Sequence, residues 1–253
     1  MFYTERQKQI INHLETHENV SVQELSELLF ASTSTIRRDL SELESIGILR
    51  RVHGGAVLTS GTNFDTPAPM RRVLQQTEKE LIAQLASRFL SSSTNYFFDS
   101  STTARHLVMK LVDYIDVRIA TNGLGLLSVL SSSNNLDVLS CGGYLRSPYD
   151  EFTGTVAIQS IQNMSADYFF FSCAGFSLTQ GATEFSDENV AVKQAFFQHS
   201  KKHILLCDHT KFGKEYFFKS LDLRDIDYVV TDQEPEDKTF IEVLGDRLIY
   251  PQD

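Results

Sequence analysis

The spacing of apolar residues changes character once along this chain. Over residues 1–50 apolar positions recur at helical spacing; beyond residue 90, short apolar runs alternate with helical stretches. Ile10, Ile11 and Leu14 form the first stripe. Ser21 with Glu24 three residues on reads as a capping box, opening a second helix that carries Leu25, Leu28 and Leu29. A turn at Phe30 and Ala31 leads into Ser32, Thr33, Ser34 and Thr35, a run of N-cap residue types. The third helix has Ile36, Leu40 and Leu43 on one face, with Thr33, Ser34, Thr35, Arg37 and Arg38 on the other, and Gly47 ends it. From 48 to 58 the pattern becomes a hairpin around His53, Gly54 and Gly55.

Two short helices with a tight turn, the second led by hydroxyls and carrying arginines outward, predict a winged helix-turn-helix, with the hairpin as the wing. The hydroxyls of Ser32, Thr33, Ser34 and Thr35 suit phosphate and base-edge contacts, and Arg37 and Arg38 suit bidentate pairing with guanine. Arg50, Arg51 and His53 on the wing are placed for the adjacent backbone or minor groove. The partner implied is double-stranded operator DNA.

Residues 59–71 crowd Gly, Pro, Ser and Thr without periodicity. The segment 59–74 therefore reads as a linker between a domain over 1–58 and a larger one over 75–253. The larger domain opens with a helical stretch over 75–90. Strands are predicted at 95–99, 117–121, 136–141, 167–173, 203–208, 227–231 and 247–250, with helices between them. Short strands rich in Phe, Val, Ile and Leu, alternating with helices, predict an α/β class with a mostly parallel sheet covered on both faces.

The chain has 253 residues, 42% hydrophobic and 22% charged, the balance of a soluble globular protein. No apolar run reaches the roughly 20 residues of a membrane helix, and no basic segment followed by an apolar one opens the chain. No membrane partner is expected, and the cytoplasm is the expected compartment. Cys141, Cys173 and Cys207 each lie near the end of an apolar run and read as buried small hydrophobes; no ligand spacing implies a metal, and no cofactor is implied. The net charge of −10 bears on DNA binding only through its local distribution. Residues 1–60 hold six Lys/Arg against eight Asp/Glu, but four of the six are the pairs Arg37-Arg38 and Arg50-Arg51.

In parallel α/β sheets ligands bind beyond the carboxyl ends of the strands. The first predicted strand is followed by Asp99, Ser100, Ser101, Thr102 and Thr103 before a helix, an arrangement suited to an anion. The second is followed by Thr121 and Asn122, the third by Gly142, Gly143 and Arg146, and the fifth by Asp208 and Lys211. Hydroxyls, glycines and cations on four such loops predict a small anionic ligand. Glu184, Glu188 and Lys193 near the Gly181 turn are candidates for contacts to the ligand's hydroxyls, although for the glutamates a solvated helix start is the preferred reading.

The run from Ser32 through Thr35-Ile-Arg-Arg-Asp-Leu40 resembles the recognition-helix signature of DeoR-type repressors, and His53-Gly-Gly-Ala56 matches the wing of that family. Ala31 stands where the family usually has valine, which implies slightly looser packing of the turn. Asp99-Ser-Ser-Thr-Thr103 is similar to the family's Asp-Gly-Ser-Thr-Thr phosphate loop, with Ser100 in place of glycine and hence less backbone freedom. Thr121-Asn122, Gly142-Gly143, and Asp208 with Lys211-Phe-Gly213 follow in the family's order. The resemblance implies a repressor of carbohydrate-metabolism genes. Its sensor domain would be related in fold to ribose-5-phosphate isomerase, bind a phosphorylated sugar, and oligomerise to hold the DNA heads at half-site spacing. The rival reading is a sugar-phosphate isomerase with an appended DNA module. The related isomerases carry Asp-Gly-Ala-Asp where this chain has Ser172-Cys-Ala-Gly175, and a lysine before the glycine run where it has Ser140-Cys141, so the proton-transfer set is incomplete. A non-catalytic sensor is expected.

Overall fold

The computed structural model describes residues 5–17, 19–45, 47–58, 65–111 and 113–252. The chain divides into two compact units, Met1–Leu74 and Gln75–Asp253.

In the first unit, α1 (Glu5–Thr16), α2 (Val22–Leu28) and α3 (Thr33–Ser45) surround a core of Ile10, Ile11, Leu14, Leu25, Ile36, Leu40 and Leu43. The capping box forms: Ser21 Oγ accepts from Glu24 N at 3.1 Å, and Glu24 Oε2 accepts from Ser21 N at 2.7 Å. The hydrogen bonds between the Glu24 carboxylate and Ser21 hold its pKa below the usual range. Leu28 departs from expectation. It faces solvent, since α2 is only seven residues long and Leu25 already fills its contact with the core. The turn before α3 places Phe30 in the left-handed region at φ +48°, with its ring almost wholly exposed.

Beyond Gly47, β2 (Leu49–Val52) and β3 (Gly55–Leu58) pair antiparallel as the expected hairpin. A third strand, β1 (Val20–Ser21), pairs with β3 on its other side. That pairing explains the double glycine. Gly54 turns the hairpin at φ +82°, and a Cβ on Gly55 would stand 2.1 Å from the Val20 carbonyl oxygen. The segment read as a linker is only partly irregular. Residues 59–64 lie outside the described residues, but Ala68–Val73 form a helix, α4, and Met70, Val73 and Leu74 pack into the first unit's core. Apolar side chains at 70, 73 and 74 outweigh the turn-forming composition upstream of them.

The second unit is built on a parallel seven-stranded sheet. Its strands are β4 (Asn95–Phe98), β5 (Val117–Thr121), β6 (Leu136–Ser140), β9 (Ala166–Phe171), β12 (Ser200–Leu206), β14 (Tyr228–Val230) and β15 (Leu248–Ile249), in the order β15-β14-β12-β9-β4-β5-β6. Alternate residues of each strand feed opposite faces, as the pleat requires. Tyr96, Phe98, Ile119 and Phe170 pack against α5 (Gln76–Ala86), α6 (Thr102–Val108) and α7 (Leu124–Leu130). Phe97, Ala120, Phe169 and Phe171 pack against α8 (Thr155–Gln162), α9 (Asp187–Gln198) and α10 (Thr239–Leu244). Two features leave no mark in the apolar pattern. One is a hairpin of β7 (Tyr144–Arg146) and β8 (Glu151–Thr153); the other is an antiparallel sheet of β10 (Gly175–Ser177), β11 (Gly181–Glu184) and β13 (Phe218–Leu221). The chain runs outward from β4 through β5 to β6, then returns to β9 on the other side of β4. The crevice between β4 and β9 is thus the topological switch point.

Two substitutions in the first unit should shift its stability in opposite directions. Gly55→Ala forces apart β1 and β3 and should cost about 1–3 kcal/mol. Phe30→Gly relieves a left-handed non-glycine residue, and after the added freedom of the unfolded chain should gain about 0.5–1 kcal/mol. Amide hydrogen exchange of residues 20–57 reads both; unchanged protection in Gly55→Ala would contradict the close approach to Val20.

Candidate functional site

At the start of α3, Ser32 Oγ accepts from Thr35 N at 3.2 Å and lies 2.9 Å and 2.8 Å from the hydroxyls of Ser34 and Thr35. This hydroxyl cluster caps the helix. Ser32, Ser34, Arg37 and Arg38 are exposed, while Thr33 and Thr35 are half-buried. Arg38 comes only within 4.0 Å of Glu42, an exposed pair that restrains it little. Arg50, Arg51 and His53 are also exposed on the wing. What holds the exposed face in place is a pair that sequence reasoning missed. Asp39, 2% exposed, accepts from Arg6 Nε at 2.5 Å and NH2 at 3.2 Å, fastening α3 to α1. Its hydrogen bond raises the Arg6 pKa.

In the second unit the predicted residues gather at the carboxyl ends of β4, β5, β6 and β12. Asp99 spans the switch point: Oδ1 accepts from Ser101 N at 3.0 Å within its own loop, and Oδ2 accepts from Ser172 N at 3.0 Å at the end of β9. Ser101 Oγ accepts from Ala104 N at 3.1 Å and caps α6. Ser100, Ser101, Thr102 and Thr103 are all buried. Ser100 keeps an ordinary backbone despite replacing the glycine of similar loops, and its hydroxyl donates to Glu151 Oε2 at 3.1 Å.

Lys193, from α9, enters the same place. Its Nζ donates to the Ser172 carbonyl at 2.5 Å, forms a short ion pair with Glu184, and lies 3.3 Å from Asp99 Oδ2. Burial works against its charge, but the carboxylates of Glu184 and Asp99 outweigh that and raise its pKa. Glu184 is therefore not a solvated residue at a helix start. It is buried at the end of β11 and engaged by Lys193. Glu188 does occupy the exposed first turn of α9, 3.7 Å from Arg146.

Lys211 donates to Ser172 Oγ at 2.9 Å and lies 3.4 Å from Asp208 Oδ2. Burial opposes the charge of each; their mutual attraction raises the Lys211 pKa and lowers that of Asp208. Arg146, expected as a second cation for the ligand, is committed elsewhere. It donates to Glu151 Oε1 at 2.9 Å and Ser186 Oγ at 2.7 Å, and lies 4.6 Å from the Tyr149 ring centre. Gly143 is likewise shaped by the fold: at φ +108°, a Cβ there would stand 2.5 Å from the Thr153 carbonyl oxygen. Gly142, at φ +62°, has open space around it. Thr121 Oγ1 accepts from Gly123 N at 3.0 Å, and Asn122 Nδ2 donates to the Phe152 carbonyl at 3.1 Å.

Glu151, Ser172, Glu184, Asn189 and Lys193 complete the crevice although no strand-end motif marks them as a set. The three cysteines are buried and unbridged, and burial pushes the Cys141 thiol up to about 12. Beyond β12 and β14, a cleft of about 330 Å³ has Phe212 and Phe240 in its wall. His209 at its edge is held by Asp232, with Nδ1 2.7 Å from Oδ2. No group of three or more His, Cys, Asp or Glu among the described residues is arranged to hold a metal, and no helix there is long and apolar enough to cross a membrane.

Two family descriptions match the chain: a DeoR-like helix-turn-helix domain over residues 6–62 and a DeoR C terminal sensor domain over residues 74–233. The chain is 33% identical to the HTH-type transcriptional regulator GolR of Listeria innocua over 92% of its own length and 91% of that protein's. It is 30% identical to the glycerol-3-phosphate regulon repressor of Escherichia coli over 98% of both chains. Among solved structures it is similar to ribose 5-phosphate isomerase A from Methanocaldococcus jannaschii, with 10% identity and a TM-score of 0.41 over 55% of each chain. By its two family matches and by relatives at 30–33% identity over more than nine-tenths of its length, the chain belongs to the DeoR family of helix-turn-helix transcriptional regulators.

Proposed function

We propose that this chain is a repressor of carbohydrate-metabolism genes that binds operator DNA through α3 and the wing and is controlled by a phosphorylated sugar held at the switch point of its second unit. The observation carrying the sensor reading is the convergence at one crevice of the buried hydroxyl loop of Ser100, Ser101, Thr102 and Thr103 with Lys211, from the turn after β12, a strand two places from β4 in the sheet. The backbone N–H groups and hydroxyls of that loop suit a phosphate, and Lys211 supplies charge. Thr121, Asn122, Gly142 and Gly143 line the side toward β6, where Arg146 orients neighbours. In this reading the second unit, over 75–253, also joins copies of the chain, so that two heads meet two half-sites. The isomerase alternative has less support: residues 172–175 carry no carboxylate, and the neighbouring Asp99 and Glu184 are occupied by Lys193.

Replacing Arg37 and Arg38 with alanine should abolish binding to an operator selected from random duplex DNA, each base-reading contact being worth about 1–3 kcal/mol. Gel-shift titration at fixed salt tests this. A double variant that binds as tightly as wild type would refute the assignment of α3.

Lys211→Ala, or Thr102→Ala combined with Thr103→Ala, should weaken sugar-phosphate binding, while effector-free DNA affinity hardly changes. The unphosphorylated sugar should bind poorly. Calorimetry over a panel of sugars and their phosphates measures this; equal affinity for a sugar and its phosphate would remove the phosphate site. Conversion of a bound phosphate into its isomer would reinstate the enzyme reading.

A further inference from the structure

Two amide oxygens in the crevice have no donor among the described residues. Asn122, 2% exposed, gives its Nδ2 to the Phe152 carbonyl at 3.1 Å. Asn189, in the first turn of α9, gives its Nδ2 to Glu151 Oε2 at 2.5 Å. Each partner is an acceptor: one is a backbone carbonyl, the other a carboxylate already facing the Arg146 guanidinium. Turning either amide over would set oxygen against oxygen, so both orientations are determined by the network. Oδ1 of Asn122 and Oδ1 of Asn189 are consequently left buried, with no hydrogen-bond partner among the described residues. Native proteins rarely leave such atoms unmet, so each Oδ1 calls for a donor from outside the chain, whether solvent or ligand.

The two asparagines meet the same strand at adjacent positions. Phe152 N donates to the Asn122 carbonyl at 2.8 Å, Gly123 bridges to Glu151, and Asn189 hangs from the Glu151 carboxylate. Ser100 donates to that same carboxylate, which ties the hydroxyl loop to the pair. Arg146 grips Glu151 and also Ser186, whose Oγ caps the helix that carries Asn189. These contacts hold both amides in place through their Nδ2 groups and leave each Oδ1 as a buried acceptor.

We infer that Asn189, held by Glu151, and Asn122 read hydroxyl groups of the effector: each Oδ1 accepts a hydrogen bond from a hydroxyl of a phosphorylated neutral sugar or polyol. A phosphorylated sugar acid is disfavoured, because its carboxylate would set a further acceptor against Oδ1 and Glu151. Asn189 is thereby a specificity-determining residue. This inference rests on the sugar-phosphate reading of the same crevice.

The test is calorimetry on the full-length chain, wild type and Asn189→Leu, which keeps the side chain's size but has no acceptor. The probes are hexose, pentose and alditol phosphates, their deoxy counterparts, phosphogluconate and inorganic phosphate. The neutral sugar phosphate that binds wild type most tightly should lose about ten-fold or more in Asn189→Leu, while inorganic phosphate loses less than about two-fold. One of its deoxy counterparts should bind wild type correspondingly weakly and lose nothing further in the variant, the signature of a direct pair. Asn189→Ser, smaller and still an acceptor, should fall between the two and serves if the leucine variant does not fold. Unchanged sugar-phosphate affinity in the variant, equal losses for sugar phosphate and inorganic phosphate, or preferential binding of phosphogluconate would each overturn the inference. Tight sugar-phosphate binding that ignores Asn189 removes this inference alone, whereas a wild type that binds no sugar phosphate removes the sensor reading with it.

Discussion

Asp99, Lys193 and Glu184 are three charged side chains withdrawn from water at one point of the sheet. Each ion loses several kcal/mol of hydration on the way in, a cost recovered only when every charge has a partner in good geometry. Here the recovery also does structural work. Asp99 accepts backbone N–H bonds from both sides of the switch point, and Lys193 meets Asp99, Glu184 and the Ser172 carbonyl together. The position of β4 relative to β9, the seat of α9 and the end of β11 are thus specified by one cluster. The hydroxyl loop keeps its shape because its first residue is one of the three.

A similar division of labour appears in the first unit. Arg37 and Arg38 are free to face outward because Asp39, next to them, is turned inward onto Arg6. A half-buried ion pair in the first unit and a buried cluster of three charges in the second fix the frame on which the groups read as functional are carried.

Much of this was legible in the chain because it is local or periodic. The capping box, the three helices of the first unit and the seven parallel strands follow from spacings within about a dozen residues. The hydroxyl loop and the glycine run after β6 could be found because they follow recognisable strands. What stayed hidden depends on partners far apart in sequence. Nothing around Glu184 distinguishes a buried carboxylate from a helix-start acid until α9 brings Lys193 against it. Arg146 looks like a spare cation until the β7–β8 hairpin, whose short strands leave no apolar alternation, delivers Glu151 to it. Leu28 looks like core until the brevity of α2 turns it outward.

The helix after the wing changes how the two units are joined. A tether of sixteen flexible residues would behave as a random coil with a broad spread of end-to-end distances. Instead α4 is seated in the core of the first unit, and between its last residue, Val73, and the first residue of α5, Gln76, there remain only Leu74 and Gln75. Leu74 is itself buried, and Gln75 sits in the left-handed region at φ +45°. Each residue has just two soft dihedrals. The covalent link between α4 and α5 is therefore two residues and four soft dihedrals long, where the composition of 59–74 alone would have allowed sixteen residues.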